Sequence, residues 1–182
     1  VLNGTENLFF KTRVGTTDGL MLESGDVRLV YSRIVDFDIN LNTQDEIGST
    51  ANDVAEVFGQ QASLEGGDDL LFVRSSGSGD LNGSTGADTV NFSQLSEDSD
   101  VIVDLNMGTV FVSDPNDPLN NSTEGNRQIA GFERFVGSDG NDTIVGSEND
   151  ATDLILHGGE GDDYLVGGAG NDLLIGGAGS DV

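Results

Sequence analysis

Gly158-Gly159-Glu160-Gly161-Asp162-Asp163-Tyr164-Leu165-Val166 runs directly into Gly167-Gly168-Ala169-Gly170-Asn171-Asp172-Leu173-Leu174-Ile175, and then into Gly176-Gly177-Ala178-Gly179-Ser180-Asp181-Val182. The shared pattern is G-G-x-G-x-D-x-U-x, with U a large apolar residue, so a fixed nine-residue period governs this end of the chain. Glycines allow the backbone to turn at positive φ and expose carbonyl oxygens. The x-U-x triplet is a very short strand with its U side chain turned inward. One nonapeptide cannot bury its apolar residue alone. Stacked copies can, which predicts an all-β chain, a right-handed parallel β-roll or β-solenoid.

Looser copies lie upstream. Gly137–Val145 and Gly83–Asn91 are close to the pattern, while Leu64–Phe72 and Gly48–Val54 are degenerate. The stretch from Gly146 to Leu156 reads as a copy lengthened by insertion and ending in Asp153-Leu154-Ile155-Leu156. Leu71, Val90, Ile144, Ile155, Leu165 and Leu174 are the expected inward residues. The repeats are thus expected over 48–182, degenerate to residue 92 and regular from 137. An insertion over 93–131 carries a β-hairpin, Val101–Leu105 and Thr109–Val112 around Asn106-Met107-Gly108. It continues through a polar loop over 114–127 and returns as one strand over 129–136, replacing one loop of the roll.

Residues 1–47 lack the repeat and are expected to form an irregular β region that caps or extends the solenoid. Val35, Phe37, Ile39 and Leu41 alternate with polar residues, as in a half-buried strand. Leu20–Leu22 and Val27–Tyr31 around Ser24-Gly25-Asp26 suggest a hairpin. Residues 52–61 are the only candidate helix.

The chain carries 33 acidic and 7 basic residues, a net charge of −26. Such a surface disfavours nucleic acid and anionic membranes, and no apolar run is long enough to insert directly into a bilayer. Self-repulsion on this scale opposes compaction, so a cation is expected to offset it. Cysteine is absent, which removes disulfides and thiolate metal sites. Calcium takes about six to eight hard oxygen ligands. One G-G-x-G-x-D loop offers too few, but two stacked loops offer enough, with the ion between them and folding linked to its binding.

These nonapeptides closely resemble those of the RTX (repeats-in-toxin) family, whose hemolysin-type repeats bind Ca²⁺. The resemblance implies loops alternating between two sides of the roll, with several ions held between loop n and loop n+2. Carried over, the first loop of a pair gives carbonyls from its second and fourth positions. The next gives carbonyls from its first and third, and both give the sixth-position Asp. One expected site joins Gly159, Gly161 and Asp163 to Gly176, Ala178 and Asp181. Another joins Ser138, Gly140 and Asp142 to Gly158, Glu160 and Asp163. A third joins Ser84, Gly86 and Asp88 to Gly137, Asp139 and Asp142. A further set is Gly167, Ala169 and Asp172 with the loop around Asp153. This scheme stacks the loops starting at 64, 83, 137, 158 and 176 on one side, and those at 146 and 167 on the other.

The resemblance also implies export from a Gram-negative bacterium by type I secretion. The repeats would stay extended where calcium is scarce and fold outside the cell. The chain starts at Val1 and breaks off in mid-pattern, so it is read as part of a longer protein that continues into further RTX repeats. No HExxH or GxSxG occurs, and His157 is the single histidine, so no catalytic residues are expected within the chain. Asp36-x-Asp38-x-Asn40 lacks the Gly and closing Glu of an EF-hand and reads as the polar face of a strand. The expected role is a structural or adhesive segment of a surface or matrix protein, with cell-surface or polysaccharide ligands. The alternative is the secretion and folding module of an extracellular protease, lipase or epimerase, or of an RTX toxin.

Overall fold

In the parallel solenoid the strands are short because each spans only the width of one face. The computed structural model describes residues 38–40, 46–59, 61–113, 115 and 126–182. Its strands are β1 (Asp38–Asn40), β2 (Glu46–Ile47), β3 (Val54–Val57), β4 (Ala62–Ser63), β5 (Leu70–Val73), β6 (Leu81–Asn82), β7 (Thr89–Asn91) and β8 (Asp100–Asp104). They continue with β9 (Thr109–Ser113), β10 (Asn126–Ala130), β11 (Arg134–Val136), β12 (Thr143–Val145), β13 (Ile155–Glu160), β14 (Tyr164–Val166) and β15 (Leu173–Ala178). The chain alternates between two facing sheets. One has the order β1-β3-β5-β7-β11-β13-β15, and the other β14-β12-β8-β9-β10-β6-β4-β2. Every pairing in the first is parallel. This is the expected β-solenoid. Residues 38–40 and 46–47 already pair with β3 and β4, so the roll extends upstream of residue 48. The hairpin expected over 20–31, and most of the strand expected over 35–42, lie outside the described residues.

The core is one file of inward residues per sheet. Leu71, Val90, Phe135 and Leu156 line up on the first. On the second, Ala62, Leu81 and Ile129 form one run and Val110, Val103, Ile144 and Leu165 another, all buried, with a two-residue shift where Val110 faces Arg127 rather than Ile129. The lengthened copy differs from expectation: Leu156 is fully buried while Ile155 is 36% exposed. Phe135 pairs with Leu156, and Leu156 with Leu174, so the register is one residue later than the sequence suggests. Residues 54–57 form β3 rather than a helix. Their burial alternates with period two, Ala55 and Val57 pointing inward.

The insertion is built into the second sheet. β8 and β9 form the expected hairpin, Val101 opposite Val112 and Val103 opposite Val110. β9 then pairs antiparallel with β10, and β10 pairs parallel with β6. The stretch 129–136 is not one strand: Gly131–Glu133 carries the chain from β10 in the second sheet to β11 in the first. Most of the polar loop expected over 114–127 lies outside the described residues. Three strands therefore stand where one would suffice, while β7 and β11 are neighbours on the other side. At about 4.8 Å per strand, the second sheet is longer by about 10 Å there. The mismatch leaves a cleft of about 300 Å³ lined by Phe132, Glu133, Asp150 and Leu154 among others.

The register makes a direct forecast. Leu156→Ala should cost about 2–5 kcal/mol, as for a fully buried leucine, and Ile155→Ala less than about 1 kcal/mol. Urea denaturation of both variants in saturating calcium checks this; equal losses would contradict the register.

Candidate metal centre

The loops joining the sheets form two columns, one on each edge of the roll. Loops 48–53, 64–69, 83–88, 131–133, 146–154 and 167–172 run from the second sheet to the first. Loops 74–80, 92–99, 137–142, 158–163 and 176–181 lie on the opposite edge. The expected sides were therefore partly wrong. Loops 64–69 and 83–88 share a column with 146–154 and 167–172, and 83–88 is on the edge opposite 137–142. Ser84, Gly86 and Asp88 do not meet Gly137, Asp139 and Asp142. The cause is the insertion: its three strands carry the chain across the second sheet, so Phe92 starts a loop on one edge and Gly131 returns on the other.

Each column is organised by its sixth-position carboxylates. The Asp142 N–H donates to Asp163 Oδ1 at 2.8 Å, and the Asp163 N–H to Asp181 Oδ1 at 3.1 Å. On the other edge the Asp53 N–H donates to Asp69 Oδ1 at 2.7 Å, and the Asp69 N–H to Asp88 Oδ1 at 2.8 Å. The Asp88 N–H continues the series to Glu133 Oε2 at 2.8 Å. Sequence reasoning misses Glu133 because its loop is cut to Gly131-Phe132-Glu133, and the longer side chain makes up the reach. The shortened loop is offset by the lengthened 146–154. There the sixth position is Leu154, whose N–H donates to Asp172 Oδ1 at 2.9 Å.

Asp153 is accordingly a fifth-position residue, exposed to solvent, and its Oδ1 accepts from the Asn171 N–H at 2.8 Å. It belongs to a second, outer ladder with Asn52, Asp68, Asp100, Asn141 and Asp162, each accepting from a backbone N–H one turn on. The signal is present in the sequence, since the residue before the sixth-position Asp is Asn or Asp in most copies.

Carbonyls line the spaces between stacked loops. A Cβ on Gly161, at φ +99°, would lie 2.2 Å from the Gly140 carbonyl oxygen. One on Gly158 would lie 2.0 Å from Asp163 Oδ2 and 2.6 Å from the Gly176 carbonyl oxygen. Only glycine fits either position, and the carboxylate folds beneath its own loop. The carbonyls of Ser138, Gly140 and Gly158 thus fall between loops 137–142 and 158–163. Those of Gly159, Gly161 and Gly176 fall between 158–163 and 176–181. The third-position residues Asp139, Glu160 and Ala178 are all exposed; in the expected sets these three lend backbone oxygens rather than side chains. On the other edge, the Gly167 carbonyl lies against Gly146, and those of Ser147 and Thr152 against Gly168 and Gly170. Ser147 and Thr152 are therefore the loop partners of Gly167, Ala169 and Asp172.

The carboxylates are costly as they stand. Asp69, Asp88 and Asp163 are at most 2% exposed, and the Oδ2 of each has no hydrogen-bond partner. Burial pushes Asp69 and Asp142 up to about 6, and raises Asp53, Asp88 and Asp163 as well. Asp53 and Asp142 are better satisfied, since each accepts from the backbone N–H and hydroxyl of Ser49 or Ser138. Among the described residues no three Asp, Glu or His side chains gather in one place. An ion here would draw its oxygens mainly from carbonyls, completed by one carboxylate per loop. That hard, flexible oxygen set suits Ca²⁺ better than Mg²⁺, which demands near-ideal octahedral geometry.

Residues 129–150 and 155–182 match the family model of the RTX calcium-binding nonapeptide repeat, in four copies. This part of the chain consists of RTX repeats. The residues between the two matched stretches, 151–154, are the end of the lengthened loop, in which Leu154 stands where the pattern has Asp. The loops at 48–53, 64–69 and 83–88 lie outside the match yet carry the same carboxylate ladder as the RTX repeats. No curated protein gives a significant match to the chain.

The raised carboxyls set a pH dependence. Asp69 and Asp142 titrate at about 6 when folded, against about 4 when unfolded. Their protonation stabilises the metal-free roll fully below about pH 4, and this is lost as pH rises through about 6. In calcium-free buffer the β signal in far-UV circular dichroism should therefore weaken between about pH 4.5 and 7.5. Calcium affinity should change the other way, strengthening over that range as protons cease to compete. A flat response in both titrations would show that the ladder carboxylates are not the responsive groups.

Proposed function

We propose that the chain is a calcium-stapled structural module of a larger exported bacterial protein, one that stiffens when it meets extracellular calcium. The observation that carries this reading is the set of orphaned, buried Oδ2 atoms of Asp69, Asp88 and Asp163 in columns of carbonyl-lined loops. Calcium would be held by Ser138, Gly140 and Gly158 carbonyls with Asp142 and Asp163, and by Gly159, Gly161 and Gly176 carbonyls with Asp163 and Asp181. On the other edge, Asp69, Asp88 and Glu133 form a comparable column. Calcium supplies the positive charge that the carboxylates lack; the loops supply preformed oxygens and exclude water.

Secretion fits the calcium gradient across the cell envelope. At low calcium the uncompensated acidic columns and the −26 net charge keep the repeats extended. Millimolar calcium outside saturates extracellular-type sites and drives folding. A structural or adhesive role suits a chain with one histidine, no cysteine and a backbone devoted to stacking. The parent protein would then be a surface or matrix component of a Gram-negative cell.

The test is a calcium titration of the whole chain followed by far-UV circular dichroism, with magnesium as control. A coil-to-β transition driven by calcium, and not by magnesium at the same concentration, is expected. Asp163→Asn removes a carboxylate shared by two loop pairs and should weaken the apparent calcium affinity by roughly tenfold or more. A chain fully folded in chelator, with a spectrum unaffected by calcium, would overturn the coupled-folding mechanism.

A further inference from the structure

Arg127 is 1% exposed in an otherwise acidic roll. β10 pairs in parallel with β6, Ile129 beside Leu81. Both are inward residues at the eighth position of the nonapeptide pattern, so counted from β6 Arg127 and Gly79, each two residues earlier, stand at the sixth; on its other side Arg127 lies opposite Val110, because the antiparallel β9 shifts the inward file by two residues. That is the position held by Asp163 before Leu165 and by Asp142 before Ile144. On the same count Ser75 and Gly77 are the second and fourth positions of the loop leading into β6. In the regular pairs, carbonyls at these two positions face the next loop.

The Arg127 guanidinium donates from Nη2 to the Ser75 carbonyl and from Nε to the Gly77 carbonyl, both at 2.9 Å. Its Nη1 is buried without a partner. Among the described residues no carboxylate lies within ion-pair distance of it. The buried charge is therefore neutralised by carbonyl dipoles, as a metal ion in a carbonyl cage would be. The sixth position of the preceding loop is Gly79, so the acidic group that would accompany an ion is missing too. Cation and counter-charge have been exchanged together: Asp plus metal at the regular turns, Gly plus Arg here.

We infer that the Arg127 guanidinium is a built-in cation that occupies the calcium position between the Ser75–Gly77 loop and β10, and so holds the junction of the inserted strands to the roll without metal. This rests on the calcium reading of the regular loops. It divides the molecule into a junction that is closed at any calcium concentration and flanking turns that close only when calcium arrives. The junction is where the second sheet gains its extra strands and where regular loop stacking is interrupted. A staple that needs no metal there gives the calcium-dependent turns a fixed template on which to stack.

Two measurements on the whole chain test this. Hydrogen exchange of the wild-type chain, with and without calcium, should show amides of 79–82 and 126–130 keeping their protection in chelator while those of 158–178 lose theirs. Loss of protection at both sites at the same calcium concentration would overturn the inference. Native mass spectrometry of the calcium-saturated chain should show one more ion in Arg127→Asp than in wild type, and no gain in Arg127→Met. An unchanged count in folded Arg127→Asp would also overturn it. Wild-type chain that takes up no calcium at all would instead remove the calcium reading on which the inference stands.

Discussion

A carboxylate buried at the same point of successive turns is the constraint around which this roll is organised. The backbone N–H of one sixth-position residue donates to the sixth-position carboxylate one turn on, so the group that sets the loop stacking is charged and shielded from water. One carboxylate oxygen is used in each such bond. The other needs a partner, and the chain meets that need differently along its length. Ser49 and Ser138 satisfy it with local hydrogen bonds. At Asp69, Asp88 and Asp163 it is left open, which suits an external cation. At Arg127 the sign is reversed, and a cation from the chain itself meets the carbonyls directly.

Much of this was legible in the sequence. The nine-residue period gives the solenoid, the x-U-x triplets give the inward file, and Val101 to Val112 gives the hairpin, because each depends on interactions local to one turn or one strand pair. The edge on which each loop falls was not legible across residues 92–131. That depends on how many strands the insertion adds to the second sheet, and hence on the pairing of β10 with β6, two strands far apart in sequence. The same limit explains Ile155. With the period broken by the inserted residues, Asp153 and the true sixth position, Leu154, differ by one place, and only pairing with Phe135 and Leu174 decides between them. Glu133 and Arg127 were hidden for a third reason: neither is the residue type that the pattern prescribes, and their roles emerge only when register gives them a position number.

The outer ladder of Asn and Asp side chains explains how the loops can stack before any cation arrives. Asn52, Asp68, Asn141 and Asp162 each accept a backbone N–H from the next turn, at exposed positions where water screens the charge of the two aspartates. Such bonds contribute about 1 kcal/mol each, enough to fix register but not to offset a buried, unpaired carboxylate. Register and stability are thus carried by different residues of the same loop. The fifth position specifies which loop lies on which, and the sixth leaves buried carboxylate oxygens that a cation would satisfy.

On the proposed calcium reading, this separation would give the roll a gradient of calcium dependence rather than a single threshold. Where serine satisfies the carboxylate, an ion adds less; where Oδ2 is orphaned, it adds most; at Arg127 it adds nothing. The sites with the greatest need are Asp69 and Asp88 on one edge and Asp163 on the other, flanking the Arg127 junction in sequence. A chain closing from that junction would bury each orphaned carboxylate only as the next turn docks, so each docking step creates the site that its ion then stabilises. Cooperativity between turns would then follow from geometry: an ion held between two loops needs both, and no loop can offer a complete site until its neighbour is in place.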